Sequence, residues 1–449
     1  MPSRAAEREP QMNWLINIGL VLLLAVVLAV WVMLPWPGAL ALAVLLAAWL
    51  LLTRRGRQTL SVANVGISTL TQRLGASGVI VVGIAGVVGV LVSLLSMAEG
   101  YAETLRRTGG TDSVIVMRGG SASEVSSVLT RDSIALVQQA DGIARNDKGE
   151  PLASEELVVA ANLPVKGGAP DEEASVQLRG IGERAWAVRP QAKIIAGKTF
   201  GPGLRELVVG QGAARQFAGL VPGGTVRLGA QTWTVAGVFA TGDALESEIW
   251  ADGNVVADTY RRAASRTSVT ARLADPQAFK TLKAALESNP QLQVDVTTTL
   301  DYFSKQSEGV TKVLRVIGIT VGTIMAIGAM FGALNTMFAA VASRAREIAT
   351  LRAIGFSGLP VVVAVMLETM LLALMGGVLG GLLAWVIFDG YGASTMAAGS
   401  VGKLSFALRV SPDLLWTGLK WALAIGFIGG LFPAVRAARL PVTTALREL

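Results

Sequence analysis

The chain has 449 residues, 52% of them hydrophobic, a mean hydropathy of +0.54, a formal net charge of +7, and neither cysteine nor histidine. So much apolar content excludes an ordinary soluble domain and points to a membrane protein that also carries a sizeable polar domain. Without cysteine there are no disulfides or thiolate metal sites. Without histidine the commonest general base and metal ligand is missing, so catalysis is disfavoured although carboxylate chemistry survives.

The charge is unevenly placed. Residues 99–312 hold 23 Lys+Arg against 25 Asp+Glu, while the other 16 basic and 7 acidic residues flank apolar runs. That is the positive-inside pattern of a membrane protein, not a basic face for nucleic acid.

In chain order, a polar start gives way to Trp14–Leu34, an apolar run long enough to span a bilayer. Pro35-Trp36-Pro37-Gly38 reads as a tight turn, Ala39–Leu52 returns, and Arg54-Arg55-Gly56-Arg57 stops transfer. A cleaved signal peptide fits poorly, because the run is too long and a second apolar run follows. A helical hairpin with both ends cytoplasmic is the expectation. Thr59–Gly75 mixes Leu60, Val62, Val65 and Ile67 with polar residues, and reads as either an amphipathic interfacial helix or a linker. Gly78–Ala98 is the third expected span.

About 210 residues of ordinary globular texture follow. Strands are predicted at Ser113–Met117, Leu157–Ala161, Ser175–Leu178, Leu207–Val209, Thr225–Leu228, Thr232–Phe239, Ser268–Leu273 and Gln293–Val296. Helices are predicted between them at Arg131–Ala140, Gln211–Ala218, Asn254–Ala264 and Pro276–Glu287. Interleaved strands and helices predict an α+β extracytoplasmic domain, with two lobes as one arrangement. Val313–Val341, Leu359–Phe388 and Leu414–Val435 then give the fourth to sixth spans, with Asp389–Pro412 as an outer polar loop and Arg436, Arg439 and Arg447 marking a cytoplasmic tail.

Between spans four and five lies a charged patch, residues 343–356. Arg344, Arg346, Glu347 and Arg352 alternate with Ile348, Leu351 and Ile354 at helical spacing, ahead of Gly355, as in a short amphipathic helix on the membrane surface. A routine positive-inside loop has the same composition. Glu368, inside span five, is a functional candidate because an intramembrane carboxylate is costly, and a residue bonded to a neighbouring helix is the plainer reading. Lys420 in span six reads as a solvated, snorkelling side chain. Small-residue pairs Gly318/Gly322, Gly328/Gly332, Gly376/Gly380, Gly377/Gly381 and Gly426/Gly430 allow close helix approach. The run from Ala192 to Gly197-Lys198-Thr199 loosely fits a phosphate loop, but Phe200-Gly201-Pro202-Gly203 follows where such a loop must open a helix.

Two stretches carry a family resemblance. Asn335-Thr-Met337 with Val341 to Gly355, and Gly429-Gly-Leu-Phe-Pro-Ala-Val-Arg-Ala-Ala-Arg-Leu-Pro441 ending in Thr444-Ala-Leu-Arg447, resemble the signatures of MacB/FtsX-like (type VII) ABC transporter permeases. Ile195–Phe200, Val208–Gly210, Gly224–Val226 and Val235–Val238 match the outer domain of that family. The N-terminal hairpin is additional to the usual four spans, and no fused nucleotide-binding domain is present, so the chain is similar to the split members.

The resemblance implies a membrane α-helical fold of six spans, an N-terminal hairpin plus a four-helix permease core, with one α+β extracytoplasmic domain. The expected segments are the hairpin at 1–58, an amphipathic segment and third span at 59–98, the MacB-like domain at 99–312, and an FtsX-like permease domain at 313–449 with coupling helix 343–356. It implies a non-catalytic subunit that relays the work of a separate cytoplasmic ABC ATPase, by mechanotransmission, to export or extract a hydrophobic or envelope substrate. The other reading is a regulatory subunit that activates an envelope enzyme. ATPase coupling falls to Arg344, Arg346, Glu347, Ile348, Leu351, Arg352, Ile354 and Gly355, with Glu368 and Asn335 in intramembrane coupling or structure. No cofactor is expected on this chain, ATP and magnesium belonging to the partner. A second permease copy as a homodimer, a periplasmic adaptor and membrane lipids are the other expected partners, in a bacterial inner membrane with both termini cytoplasmic.

Overall fold

Proline at the start of a helix sacrifices an N–H that has no partner there anyway. That is the use made of Pro35 and Pro37 in the computed structural model, which describes residues 26–27, 30–68, 74–169, 172–262, 265–396 and 402–439. The Pro-Trp-Pro-Gly run is thus the opening of helix α1 (Trp36–Leu52), with Pro35 as its cap, and not a separate turn. Trp14 to Ala25 of the first expected span, and residues 440–449 with Arg447, lie outside the described residues.

At Thr53 the chain bends by 97° into α2 (Arg54–Ser68). The Thr53 hydroxyl makes the corner by accepting from Gly56 N at 2.9 Å, a threonine N-cap, while donating to Trp49 O at 2.8 Å. The mixed segment that allowed two readings is therefore helical through Ser68. It buries Val62 and Ala63.

The chain divides into two units. The first comprises residues 1–96, 316–389 and 410–449; the second comprises 97–315 and 390–409. The boundary falls inside two long helices, α3 (Leu74–Thr108) and α4 (Thr299–Ser343). The first unit continues through α5 (Ala345–Ala353), α6 (Gly358–Phe388) and α7 (Pro412–Arg439). Among the described residues α3, α4, α6 and α7 are long and apolar enough to cross a membrane, and the bent α1–α2 pair adds one more at most. The six expected spans are thus not all seen there.

Glycine sets how closely these helices meet. A Cβ on Gly380 of α6 would lie 2.4 Å from Ala85 O of α3, and one on Gly426 of α7 would lie 2.4 Å from Ala373 Cβ of α6. Apolar side chains such as Ile84, Val88, Leu372, Ala422 and Ile425 fill the remaining space.

The second unit is α+β. Its strands are β1 Ser113–Arg118, β2 Leu129–Thr130, β3 Ala153–Pro164, β4 Glu173–Ile181, β5 Lys193–Gly197, β6 Glu206–Gly210, β7 Thr225–Leu228, β8 Gln231–Ala240, β9 Glu248–Asp252, β10 Ser265–Arg266, β11 Ser268–Arg272, β12 Val294–Thr298, β13 Gly392–Met396 and β14 Lys403–Ala407. One mixed sheet runs β12-β1-β11-β3-β4-β9-β6-β8-β5, with β7 also paired to β8. Among the described residues only β4–β9 and β6–β8 pair in parallel. Two large apolar cores serve it, with smaller clusters around Trp250 and around Tyr302. One lies under β1, β11 and β12 with Leu282 and Leu286 of helix Ala278–Glu287. The other lies under β3, β4 and β6–β9, around Trp233 and Phe217. One sheet thus joins both large cores, where two lobes were one expected arrangement.

The Asp389–Pro412 stretch, expected as a polar loop, instead contains the β13–β14 hairpin of this unit. Phe406 is buried edge-on against Tyr101, their ring centroids 5.5 Å apart. Arg409 Nη1 meets Glu103 Oε1 at 2.9 Å.

Candidate functional site

Two features place the charged patch. Arg344 breaks the helix after α4, and α5 then runs for nine residues until Gly355 adopts φ of 106°. A left-handed glycine just past a helix lets the last carbonyls be capped, and here both bonds of a Schellman cap form. Gly355 N donates to Arg352 O and Phe356 N to Leu351 O, each at 3.1 Å. Gly355 is therefore a stop signal for the helix.

Within α5, Ile348 and Ala349 are buried, while Arg346, Glu347 and the C-cap Ile354 are exposed. Leu351 and Arg352 are half-buried. The apolar side of this region packs with α2 and α6: Val62, Ala63 and Ala364 form a small cluster with Leu351, Phe356 and Leu367. One face of α5 is thus held by the membrane unit and the other is offered outward.

Arg344 ties the patch to the span. Its Nη1 donates to Glu368 Oε2 at 3.1 Å and its Nε to Glu347 Oε2 at 3.1 Å. Glu368 is only 7% exposed, so an unpaired carboxylate there would be costly and the guanidinium offsets that cost. Gly66 of α2 closes over the pair, since a Cβ added to it would sit 3.0 Å from Glu368 Oε2 and 3.2 Å from Arg344 Nη1. Beside the pair is a cavity of about 740 Å³ walled by α2, α5 and α6. Asn335, by contrast, lies exposed within α4 and takes no part in the pair.

The small-residue pairs do not all behave alike. Gly318 and Gly322 face Leu94 and Leu91 of α3, Gly376 faces Ile84, and Gly430 faces Thr369. Gly328 and Gly332 meet nothing within 4 Å. Lys420 departs from its expectation: it is 9% exposed and donates from Nζ to Val32 O at 2.6 Å. The backbone carbonyl near the end of another helix replaces water, so no snorkelling is needed.

The phosphate-loop-like run ends edge strand β5 and continues irregularly to β6, so no helix N-terminus follows Lys198. A polar cluster that no local pattern announced lies instead in the sheet. Arg179 of β4, 1% exposed, donates to Glu124 Oε1 at 2.8 Å, Glu156 Oε2 at 2.7 Å and Glu248 Oε2 at 2.7 Å. Arg189 pairs with Glu156 through both guanidinium nitrogens. Burial pushes the Glu156 carboxyl up, but Arg189 and Arg179 outweigh it and hold the group below its ordinary range. Among the described residues no group of carboxylates is arranged to hold a metal ion.

Comparison with known proteins follows the same division. A family profile described as the MacB-like periplasmic core domain matches residues 77–289, and one described as the FtsX-like permease C-terminal domain matches 319–442. The ABC transporter permease YknZ of Bacillus subtilis is 25% identical over 312 residues, covering 65% of this chain and 75% of its own length. The macrolide export ATP-binding/permease protein MacB 1/2 of Paracoccus denitrificans is 25% identical over 400 residues, covering 82% of this chain. The chain spans 55% of that relative's length. The crystal structure of the periplasmic region of MacB from Actinobacillus actinomycetemcomitans aligns with a TM-score of 0.33 at 17% identity, over 41% of this chain and 91% of that one.

Proposed function

The chain belongs to the MacB/FtsX-like permeases of ABC transporters, and on that footing we propose that α5 is the seat of a separate cytoplasmic ATPase. ATP and magnesium bind on that partner, and this chain relays its motion. The reading includes a multi-pass inner-membrane protein of six spans, with cytoplasmic termini and an extracytoplasmic α+β domain. It works as a homodimer, with an adaptor on the far side, to export a hydrophobic or envelope substrate.

The observation that supports this most is the two-sided character of α5. Arg346 and Glu347 face outward, while Arg344 reaches back to Glu368 in α6. A push on the exposed side therefore meets a helix anchored to a span by an ion pair, not a loose loop. Physically, the ATP-bound motor must prefer one permease conformation over the other, because a partner that binds both equally shifts nothing. The lengths of α3 and α4, 35 and 45 residues, suit them to carry displacement beyond the apolar runs.

The test is co-purification of the ATPase with the full chain and with the Arg346→Glu, Glu347→Arg double variant. These positions are exposed, so the fold is retained and association is expected to fall. Undiminished association removes α5 from the mechanism. If the intact complex moves no cargo but stimulates a cell-wall hydrolase, the regulatory reading replaces export.

A further inference from the structure

Where α3 ends and α4 begins, the α+β unit holds a pocket of about 180 Å³. Its walls come from the last residues of α3, the glycines that follow it, β1, β11, the stretch 188–191 and the first turns of α4. At roughly 30 Å³ per water-sized group, it has room for about six such groups, the bulk of one phosphate group.

Four arginines line this pocket, Arg107, Arg179, Arg189 and Arg272, against two carboxylates, Asp112 and Glu124. A guanidinium carries five N–H donors and no acceptor. Arg179 spends all five on Glu124, Glu156 and Glu248. The other three arginines do not. Among the described residues Arg189 makes three such bonds, to Glu156 and Thr270, while Arg272 makes one to Asp112. Arg107 makes one to Glu103. The acceptors are already committed, since both Glu124 oxygens take bonds from Arg179 and one takes a further bond from Ser268. Glu156 and Glu248 hold Arg179 but do not line the pocket. For Arg189, which is 8% exposed, an N–H left without an acceptor is costly. Whatever fills the pocket must therefore bring acceptor oxygens.

We propose that this pocket binds a phosphate group, free or carried as a monoester by a larger molecule, on the unspent donors of Arg107, Arg189 and Arg272. The planar fork of arginine matches the oxygens of a phosphate, and the bonds it makes to them are charge-assisted. Asp112 competes for Arg272, which gives the proposal a sign that packing alone would not predict. The assignment does not rest on α5 or on a partner ATPase, so either can fail alone.

The experiment titrates inorganic phosphate, and separately glycerol 3-phosphate, into the full chain in detergent and follows binding by isothermal calorimetry, with glycerol as the uncharged control. Saturable binding at one site per chain is expected, and glycerol should give none. Binding of inorganic phosphate alone assigns the site to the free ion, whereas binding of the ester as well opens it to a carried phosphate. Arg272→Gln should weaken binding roughly tenfold or more, the worth of a charge-assisted hydrogen bond. Asp112→Asn removes the carboxylate that competes for Arg272, so it should tighten binding. Arg227→Gln alters an exposed arginine of β7 outside the pocket and should change nothing. The proposal is overturned if neither phosphate binds the unaltered chain, or if Arg272→Gln leaves the affinity unchanged. Weaker binding in Asp112→Asn, or a loss in Arg227→Gln equal to that in Arg272→Gln, also overturns it.

Discussion

Arg344 serves two carboxylates at once, and the two do not matter equally. Glu347 is 53% exposed on its side chain, so its pair with Arg344 is screened by water and worth little. Glu368 is 9% exposed on its side chain, with Gly66 close above it, so breaking that pair takes the guanidinium away from a buried carboxylate. Arg344→Ala is therefore expected to cost clearly more than Glu347→Ala, which should cost less than about 1 kcal/mol. Glu368→Gln, which removes the charge and keeps a hydrogen-bonding group, should restore part of the loss in the Arg344→Ala background. Thermal unfolding of the four proteins in one detergent would check this. Equal losses for Arg344→Ala and Glu347→Ala would show that the Glu368 pair carries no weight.

Among the elements, contrasting glycines separate packing from propensity. Gly380→Ala puts a methyl 2.4 Å from the backbone of α3, so α6 and α3 must part, and a fall in unfolding temperature is expected. Gly328→Ala meets nothing and gains about 1 kcal/mol of helix propensity, so stability should hold or rise. A stability loss at Gly328 instead would mean that α4 packs against another surface there. The four spans were legible because apolar runs of more than about twenty residues have few other uses. Span four is expected to continue past Lys312, and it does, but where α3 and α4 end was not legible: they run on through Glu103, Arg106, Asp301 and Lys305, where hydropathy gives no signal. Strands β5 and β9 were not predicted; in β9 the terminal Glu248 and Asp252 leave three apolar residues between them. Lys420 was misread because its acceptor is a backbone carbonyl 388 residues away. The α5 region was legible, since helical spacing of Ile348 and Leu351 and a terminal glycine are local features.

At the scale of the molecule, the α+β unit spreads one sheet over two cores, and Arg179 draws its partners from distant parts of the chain. Glu124 lies 55 positions before it and Glu248 lies 69 after, a juxtaposition that no sequence window could contain. Removing the cation should hurt more than any one of the carboxylates, because three buried acids would lose it and only Glu156 would keep an arginine, Arg189. Arg179→Met is expected to cost several kcal/mol at pH 7. The pH dependence gives the sharper test. In the unaltered protein Glu156 is held below its ordinary value of 4.5, so its contribution is present above that value and is lost as pH falls through the lowered one. Asp243 works the other way, since burial raises its carboxyl and favours the fold as pH falls. Comparing variant with parent at each pH cancels Asp243 to first order. Without Arg179 the Glu156 carboxyl keeps only Arg189 against its burial, so it should be held down less in the variant and the variant should lose less stability on acidification than the parent. The gap in unfolding temperature between Arg179→Met and its parent should therefore narrow from pH 7 to about pH 4. A gap that stays constant would mean that Arg179 acts through packing, and that the carboxylates around it are neutral at both pH values.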